Sequence, residues 1–95
     1  MYGLNETLTH EILALAEKHG LSSVVLFGSR ARGDYGARSD IDLAVSGGDC
    51  ARFALDVEEE TSTLLFFDLV DLGSPIQPEL RENIQRDGVV LYAKA

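Results

Sequence analysis

The sequence predicts an α/β (α+β) domain, in which a small mixed β-sheet of about four strands has helices packed on it. Short apolar segments rich in β-branched residues alternate along the chain with segments whose apolar residues recur at helical spacing. The connection between the first two predicted strands, residues 28–39, is borderline for a parallel crossover, which usually needs about a dozen residues or more. We therefore expect the first two strands to pair antiparallel, in a mixed sheet with helices covering one face.

The first half of the chain predicts a long helix, a short one and two strands. The recurrence of Leu8, Ile12 and Leu15 predicts an amphipathic helix. Asn5 is suited to cap the start of this helix, and Gly20 is suited to end it. An apolar strand follows, then a glycine-serine turn into a short helix, and a second strand after a loop of turn residues. The predicted bounds are Asn5–His19, Ser22–Phe27, Gly28–Arg32 and Asp40–Val45.

Turn residues divide the second half in the same way. Residues 47–49 break the chain, and Asp49 is suited to cap the helix that follows. A third strand, a turn at residues 73–75, a further helix and a short closing strand complete the order α-β-α-β-α-β-α-β. The predicted bounds are Cys50–Glu60, Leu64–Val70, Pro78–Arg86 and Val89–Tyr92. Four phenylalanines are assigned to the core: Phe27, Phe53, Phe66 and Phe67.

Length and composition limit the classes of protein to which the chain can belong. With 95 residues, 45% of them hydrophobic, it is suited to a single folded domain over residues 1–95. A formal net charge of −8 opposes stable binding of nucleic acid, which needs lysine and arginine to displace counterions. A single cysteine excludes an internal disulfide, and no apolar segment reaches the roughly 20 residues that cross a bilayer. We therefore expect a soluble, cytoplasmic protein.

The most informative motif joins a glycine-serine turn to a pair of carboxylates. Residues 28–34 (GSRARGD) are followed by residues 39–43 (SDIDL). Asp40 and Asp42 would point to the same face of a strand, and two like charges side by side usually need a cation. Mg²⁺ is the natural candidate, because it prefers oxygen ligands and binds through carboxylates together with substrate phosphates. The motif therefore predicts chemistry on a nucleotide, for which two Mg²⁺ ions could stabilise the attacking and departing oxygens.

The turn before the carboxylates supplies candidate phosphate contacts. Gly28 has no Cβ, so the backbone there can come close to a phosphate. The Ser29 hydroxyl and the amides that open the short helix can donate hydrogen bonds to phosphate oxygens. Arg30 or Arg32 could neutralise the leaving pyrophosphate, and the sequence leaves open which arginine does so or whether both only balance nearby acids.

Together these segments resemble the signature of the DNA polymerase β-like nucleotidyltransferase superfamily, and within it the minimal nucleotidyltransferases of the MntA antitoxin type. The resemblance extends to residues 67–72 (FDLVDL) and 86–92 (RDGVVLY). It implies the palm-like fold of that superfamily and a third carboxylate from a neighbouring strand. Asp68 and Asp71 are the candidates, and they would lie on opposite faces of a regular strand. The family pattern favours Asp68, as a third metal ligand and possible base, and leaves Asp71 as a solvated residue at the strand end.

The same resemblance implies an enzyme that transfers AMP from ATP to a hydroxyl of a partner protein. The implied acceptor is a tyrosine of a HEPN-family toxin, so that the chain would act as a type VII-like antitoxin. The small size independently favours a macromolecular acceptor, because little chain is left for a domain that would hold a small one. Two alternatives stay open: an antitoxin that neutralises its partner by complex formation alone, and a nucleotidyltransferase that acts on a small molecule or RNA.

Overall fold

The structure is a computed structural model that describes residues 2–94, and it alternates helices and strands in the predicted order. Within these residues, no helix combines the length and the hydrophobicity needed to span a bilayer. The elements are α1 (Glu6–Lys18), β1 (Ser23–Phe27), α2 (Gly28–Arg32), β2 (Ile41–Ser46), α3 (Cys50–Glu60), β3 (Phe67–Asp71), α4 (Pro78–Asp87) and β4 (Val89–Ala93).

The strands form a mixed four-stranded sheet in the order β3-β2-β1-β4. β1 is an inner strand that pairs antiparallel with both β2 and β4, whereas β2 pairs parallel with β3 at the edge. The antiparallel pairing of β1 with β2 confirms the prediction made from the short connection at residues 28–39. The parallel step from β2 to β3 contains the whole of α3, as a crossover connection requires.

Helices cover both faces of this sheet, so the expectation that they cover one face is wrong. On one face, Leu26 and Leu43 are buried in a cluster to which α1 and α3 contribute. On the other face, Phe27 and Ala44 pack with Ile84 of α4. Successive strand residues alternate between the two clusters, so each inner strand is apolar on both sides, as in other sheets covered by helices on both faces.

The two longest helices, α1 and α3, begin at the predicted caps. The Asn5 side chain accepts a hydrogen bond from the Leu8 amide at 2.7 Å, and Asp49 accepts one from the Arg52 amide at 3.1 Å. Each cap satisfies an amide that has no partner inside its helix. Gly20, with φ of +67°, follows the last turn of α1 as expected.

The third strand begins later than predicted, and the prediction that Phe66 lies in the core is wrong. β3 starts at Phe67, whereas Phe66 is 77% exposed and Leu64 is 99% exposed. The Phe66 carbonyl still accepts a hydrogen bond from the Ile41 amide at 2.9 Å, so its backbone adjoins β2 while its side chain is left outside the core. The other three phenylalanines are buried, as predicted.

Candidate active site

Two carboxylates stand side by side across the parallel pair β2–β3. Asp42 is the register partner of Asp68. Because strand side chains alternate, both lie on the sheet face that carries Ala44 and Val70, the face that α4 covers. Asp40 precedes Asp42 by two residues and is an exposed residue just before β2. The structure therefore brings the three predicted carboxylates to one side of the sheet.

The electrostatics of Asp42 reflect this crowding. Its pKa is raised above the ordinary carboxyl value, chiefly because burial disfavours the charged form, and further because Asp68 and Asp40 repel it. Arg32 and Arg30 act in the opposite direction without cancelling the rise. A cation placed among the three carboxylates would relieve both the desolvation and the repulsion.

A glycine lies directly against the Asp42 carboxylate. Gly28 has φ of +75°, and a Cβ built on it would overlap Oδ2 of Asp42. This proximity follows from the register, since Phe27 is paired with Asp42 and the chain turns away from β1 at the next residue. Both the left-handed φ and the close approach require glycine at this position.

The two arginines of α2 have different environments. Arg32 is exposed, and its Nε lies 3.3 Å from Oδ2 of Asp34. Arg30 is 1% exposed, and the structure turns its guanidinium inward to backbone carbonyl oxygens. That either arginine contacts the triphosphate stays a prediction, and of the two Arg32 is the one whose side chain is open to solvent. Ser29 is half-buried between Gly28 and the arginines at the start of the same short helix.

Asp71 is separated from the carboxylate group. It pairs with Val45, so its side chain projects from the opposite side of β3 to that of Asp68. It is exposed and accepts a hydrogen bond from the Gly73 amide at 2.8 Å in the turn that follows β3. The expectation of a solvated residue at the strand end is confirmed.

The donor atoms around Asp42 suit a hard cation. Within residues 2–94, no three histidine, cysteine, aspartate or glutamate side chains are already drawn together as a metal cluster. The candidate ligands Asp40, Asp42 and Asp68 nonetheless offer only carboxylate oxygens, the donors that Mg²⁺ prefers. The pKa of Asp42 is raised first by burial and then by repulsion from Asp68 and Asp40, so a cation bound beside it would favour its ionised form. These residues therefore fit Mg²⁺ in their chemistry and in their shared location.

Comparison with solved structures finds the same fold in minimal nucleotidyltransferases. One similar structure is a mutant of the toxin–antitoxin complex MntA–HpeT, in which two aspartates two positions apart are replaced by glutamate. The matching chain is 27% identical to this one, with a TM-score of 0.72 over 96% of this chain and 75% of that one. A toxin–antitoxin structure with AMP-PNP gives 27% identity and a TM-score of 0.67, over 90% and 73% of the two chains. A candidate minimal nucleotidyltransferase gives 32% identity and a TM-score of 0.64, over 85% and 86%.

Sequence comparison gives the family directly. No curated protein sequence is a significant match to the chain. The family described as "Polymerase beta, Nucleotidyltransferase" matches residues 10–95, which include the glycine-serine turn and all three carboxylates. The match covers far more than half of the described structure and agrees with the fold of the solved relatives. The chain therefore belongs to the polymerase β nucleotidyltransferase family.

Proposed function

We propose that this chain is a Mg²⁺-dependent adenylyltransferase that modifies a protein. It transfers AMP from ATP to a hydroxyl of a partner, which we take to be a tyrosine of a HEPN-family toxin, and so acts as an antitoxin. The observation that carries the proposal is the pairing of Asp42 with Asp68 against Gly28. That arrangement places acidic metal ligands beside a stretch of backbone that a phosphate can approach.

The three carboxylates would bind the metal and accept the proton of the acceptor hydroxyl. Asp40, Asp42 and Asp68 would hold Mg²⁺, which when bound stabilises the charge on the attacking and departing oxygens. Asp68 is the most suitable base, because an acceptor hydroxyl can reach its exposed carboxylate. Its register partner Asp42 is half-buried. Asp68 would accept the hydroxyl proton as the new bond to the α-phosphorus forms and the bond to pyrophosphate breaks.

The turn after β1 would hold the triphosphate. The Gly28 backbone would lie against the phosphates, and the Ser29 hydroxyl would donate a hydrogen bond to them. Arg32 extends to the surface and would offset the charge of the departing pyrophosphate. The relative solved with AMP-PNP, an analogue of ATP, supports ATP as the donor. In a second relative, two aspartates with the same spacing as Asp40 and Asp42 were replaced by glutamate, which supports a role for this pair of carboxylates.

The surface beside the carboxylates supports a protein as the acceptor. Leu64 and Phe66 are 99% and 77% exposed, and with Arg38 they line a shallow groove. The groove lies beside Asp40, because the Phe66 carbonyl is bonded to the amide of Ile41. Exposed apolar side chains grouped in this way are typical of protein contact surfaces. A protein lying on them would bring its hydroxyl to the catalytic end of β2, and the related chains come from toxin–antitoxin structures.

Mass spectrometry of a candidate partner tests the proposal. Incubation of the purified chain with ATP, Mg²⁺ and a candidate HEPN-type partner should yield partner heavier by one or more adenylyl groups. Asp42→Asn should abolish the increment, whereas Asp71→Asn should leave it unchanged. If the partner gains no mass while the Asp40→Asn/Asp42→Asn double variant still protects cells from it, the chain neutralises by binding alone. Transfer to RNA or a small molecule in place of the partner would reject the protein acceptor.

A further inference from the structure

Arg30 is a buried cation whose guanidinium, within the described part of the chain, contacts backbone carbonyls and an aromatic ring in place of a carboxylate. It is 1% exposed, and within residues 2–94 it forms no ion pair with a carboxylate. A buried charge is costly unless hydrogen bonds or other charges compensate it. Here the compensation comes from carbonyl oxygens and from the ring of Tyr35, whose centroid lies 5.1 Å from the guanidinium carbon.

The guanidinium joins the motif loop to the start of the chain. Nε and Nη2 of Arg30 both donate to the carbonyl oxygen of Ser39, at 3.2 and 2.8 Å. Nη1 donates to the carbonyl of Tyr2 at 3.2 Å. The rigid planar fork of arginine fixes the direction of an acceptor that it binds with two donors. This acceptor belongs to the peptide group that joins Ser39 to Asp40. The two hydrogen bonds from Arg30 therefore restrain the backbone that carries the Asp40 carboxylate.

The same packing shields Arg30 from a nucleotide. A Cβ added to Gly3 would overlap Nη1 of Arg30 and come within 2.7 Å of the Tyr35 ring, so residues on two sides already cover the guanidinium. A phosphate could reach it only by displacing them. Arg32, two residues later, is exposed and has no such cover.

We propose that Arg30 is a positioning residue for the carboxylates: it holds the Ser39–Asp40 peptide in place, and Arg32 alone provides the arginine contact to the triphosphate. The inference rests on the proposed function for its kinetic consequences, while its structural consequences can be measured without catalysis. A role in positioning and a role in binding phosphate affect different kinetic constants.

Kinetics of AMP transfer should separate the two arginines. Arg30→Lys keeps the charge but loses the fork, so kcat is expected to fall by about tenfold or more and the Mg²⁺ concentration for half-maximal rate to rise. Its KM for ATP should stay within about twofold of the wild-type value. Arg32→Gln should instead raise the KM for ATP by about tenfold, which is the effect of one lost charge-assisted hydrogen bond.

Two readouts are independent of turnover. Amide hydrogen exchange at residues 39–41 should accelerate in Arg30→Lys and stay unchanged in Arg32→Gln. Mn²⁺ binding to the protein without nucleotide, followed by electron paramagnetic resonance, should weaken in Arg30→Lys only. If the Arg30 variant fails to fold, Tyr35→Leu serves instead, since it removes the ring and leaves the Arg30 hydrogen-bond donors in place. It should show the same changes to a smaller degree.

Two outcomes would contradict the positioning role of Arg30. If Arg30→Lys or Tyr35→Leu leaves exchange at residues 39–41 and Mn²⁺ binding unchanged, the positioning role is rejected. A rise in the KM for ATP in Arg30→Lys as large as that in Arg32→Gln would make Arg30 a phosphate contact. If the wild-type chain transfers no AMP to any acceptor, the proposed function fails, while exchange and Mn²⁺ binding still decide the role of Arg30.

Discussion

Asp42 and Asp68 occupy the same level of the parallel pair β2–β3, although the whole of α3 separates them along the chain. The crossover connection is what makes them neighbours, because it returns the chain to run in the same direction as β2. Asp42 is part of the family motif itself. Asp68 lies outside the motif and is brought beside Asp42 by the pairing of β2 with β3. The site therefore depends on strand pairing as much as on the motif.

Replacement of Asp68 and of Asp71 by asparagine gives a matched comparison on one strand. Asp68→Asn removes a predicted metal ligand and should lower the rate of AMP transfer by about a hundredfold or more. Asp71→Asn makes the same chemical change on the opposite side of β3 and should leave the rate within about twofold. Initial rates by intact-mass spectrometry at saturating Mg²⁺ check both. Equal losses in the two variants would contradict the assignment of Asp68.

Asp42→Asn should stabilise the chain in metal-free buffer at neutral pH. The pKa of Asp42 is raised in the folded chain, so ionisation at neutral pH opposes folding. The contribution of Asp42 to stability is complete below the ordinary carboxyl pKa and is lost as the pH rises through the raised value. Like charges directly opposite each other on paired strands cost about 0.2–1 kcal/mol, so Tm should rise by roughly 1–8 °C at pH 7.

Thermal melts followed by circular dichroism test this effect. The advantage of Asp42→Asn should vanish as the pH is lowered past about 4, where the wild-type carboxyl is itself neutral. Excess Mg²⁺ and ATP should reverse the order at pH 7, because the ligand stabilises only the chain that binds it. A wild-type chain that melts above the variant at pH 7 without metal would rule out the proposed repulsion.

Gly28→Ala and Gly20→Ala separate backbone strain from contact with the site. Both glycines have positive φ, +75° and +67°, so each alanine should cost about 1–2 kcal/mol of folding free energy. Only at Gly28 does the new Cβ overlap the Asp42 carboxylate, whereas at Gly20 it meets nothing within 4 Å. Transfer should therefore fall by about tenfold or more in Gly28→Ala and persist in Gly20→Ala at a temperature where both are folded. Similar rates would show that the contact has no role.

The exposed apolar groove predicts a selective effect on the protein acceptor. Leu64→Ser combined with Phe66→Ser should raise the KM for the partner protein by about tenfold and leave AMP-PNP binding unchanged. Leu55→Ser on α3 is the control, since Leu55 is also exposed, at 56%, but lies outside the groove. Titration of partner in transfer assays, with calorimetry for the nucleotide, gives both quantities. An unchanged KM for the partner would place the acceptor elsewhere.

The local order of elements and the metal-binding motif could be predicted from sequence, because both depend on short-range patterns. Asn5 and Asp49 cap their helices through bonds that reach only three residues. The environments of Arg30 and Phe66 could not be predicted in this way. Arg30 and Arg32 have the same side chain in the same short helix, and Arg30 is buried by tertiary contacts that include residues 2, 35 and 39. Phe66 extends an apolar run in the sequence, but β3 begins one residue later and the Phe66 side chain is exposed.

The strand order β3-β2-β1-β4 places some site residues on or beside inner strands and Asp68 on an edge strand. Gly28 leaves the inner strand β1, whereas Asp68 lies on β3, which has a neighbour on one side only. Edge strands fray more readily than inner ones. On warming, the third acid should detach before the inner strands separate, so catalysis would cease below the melting temperature while the turn after β1 still held its shape.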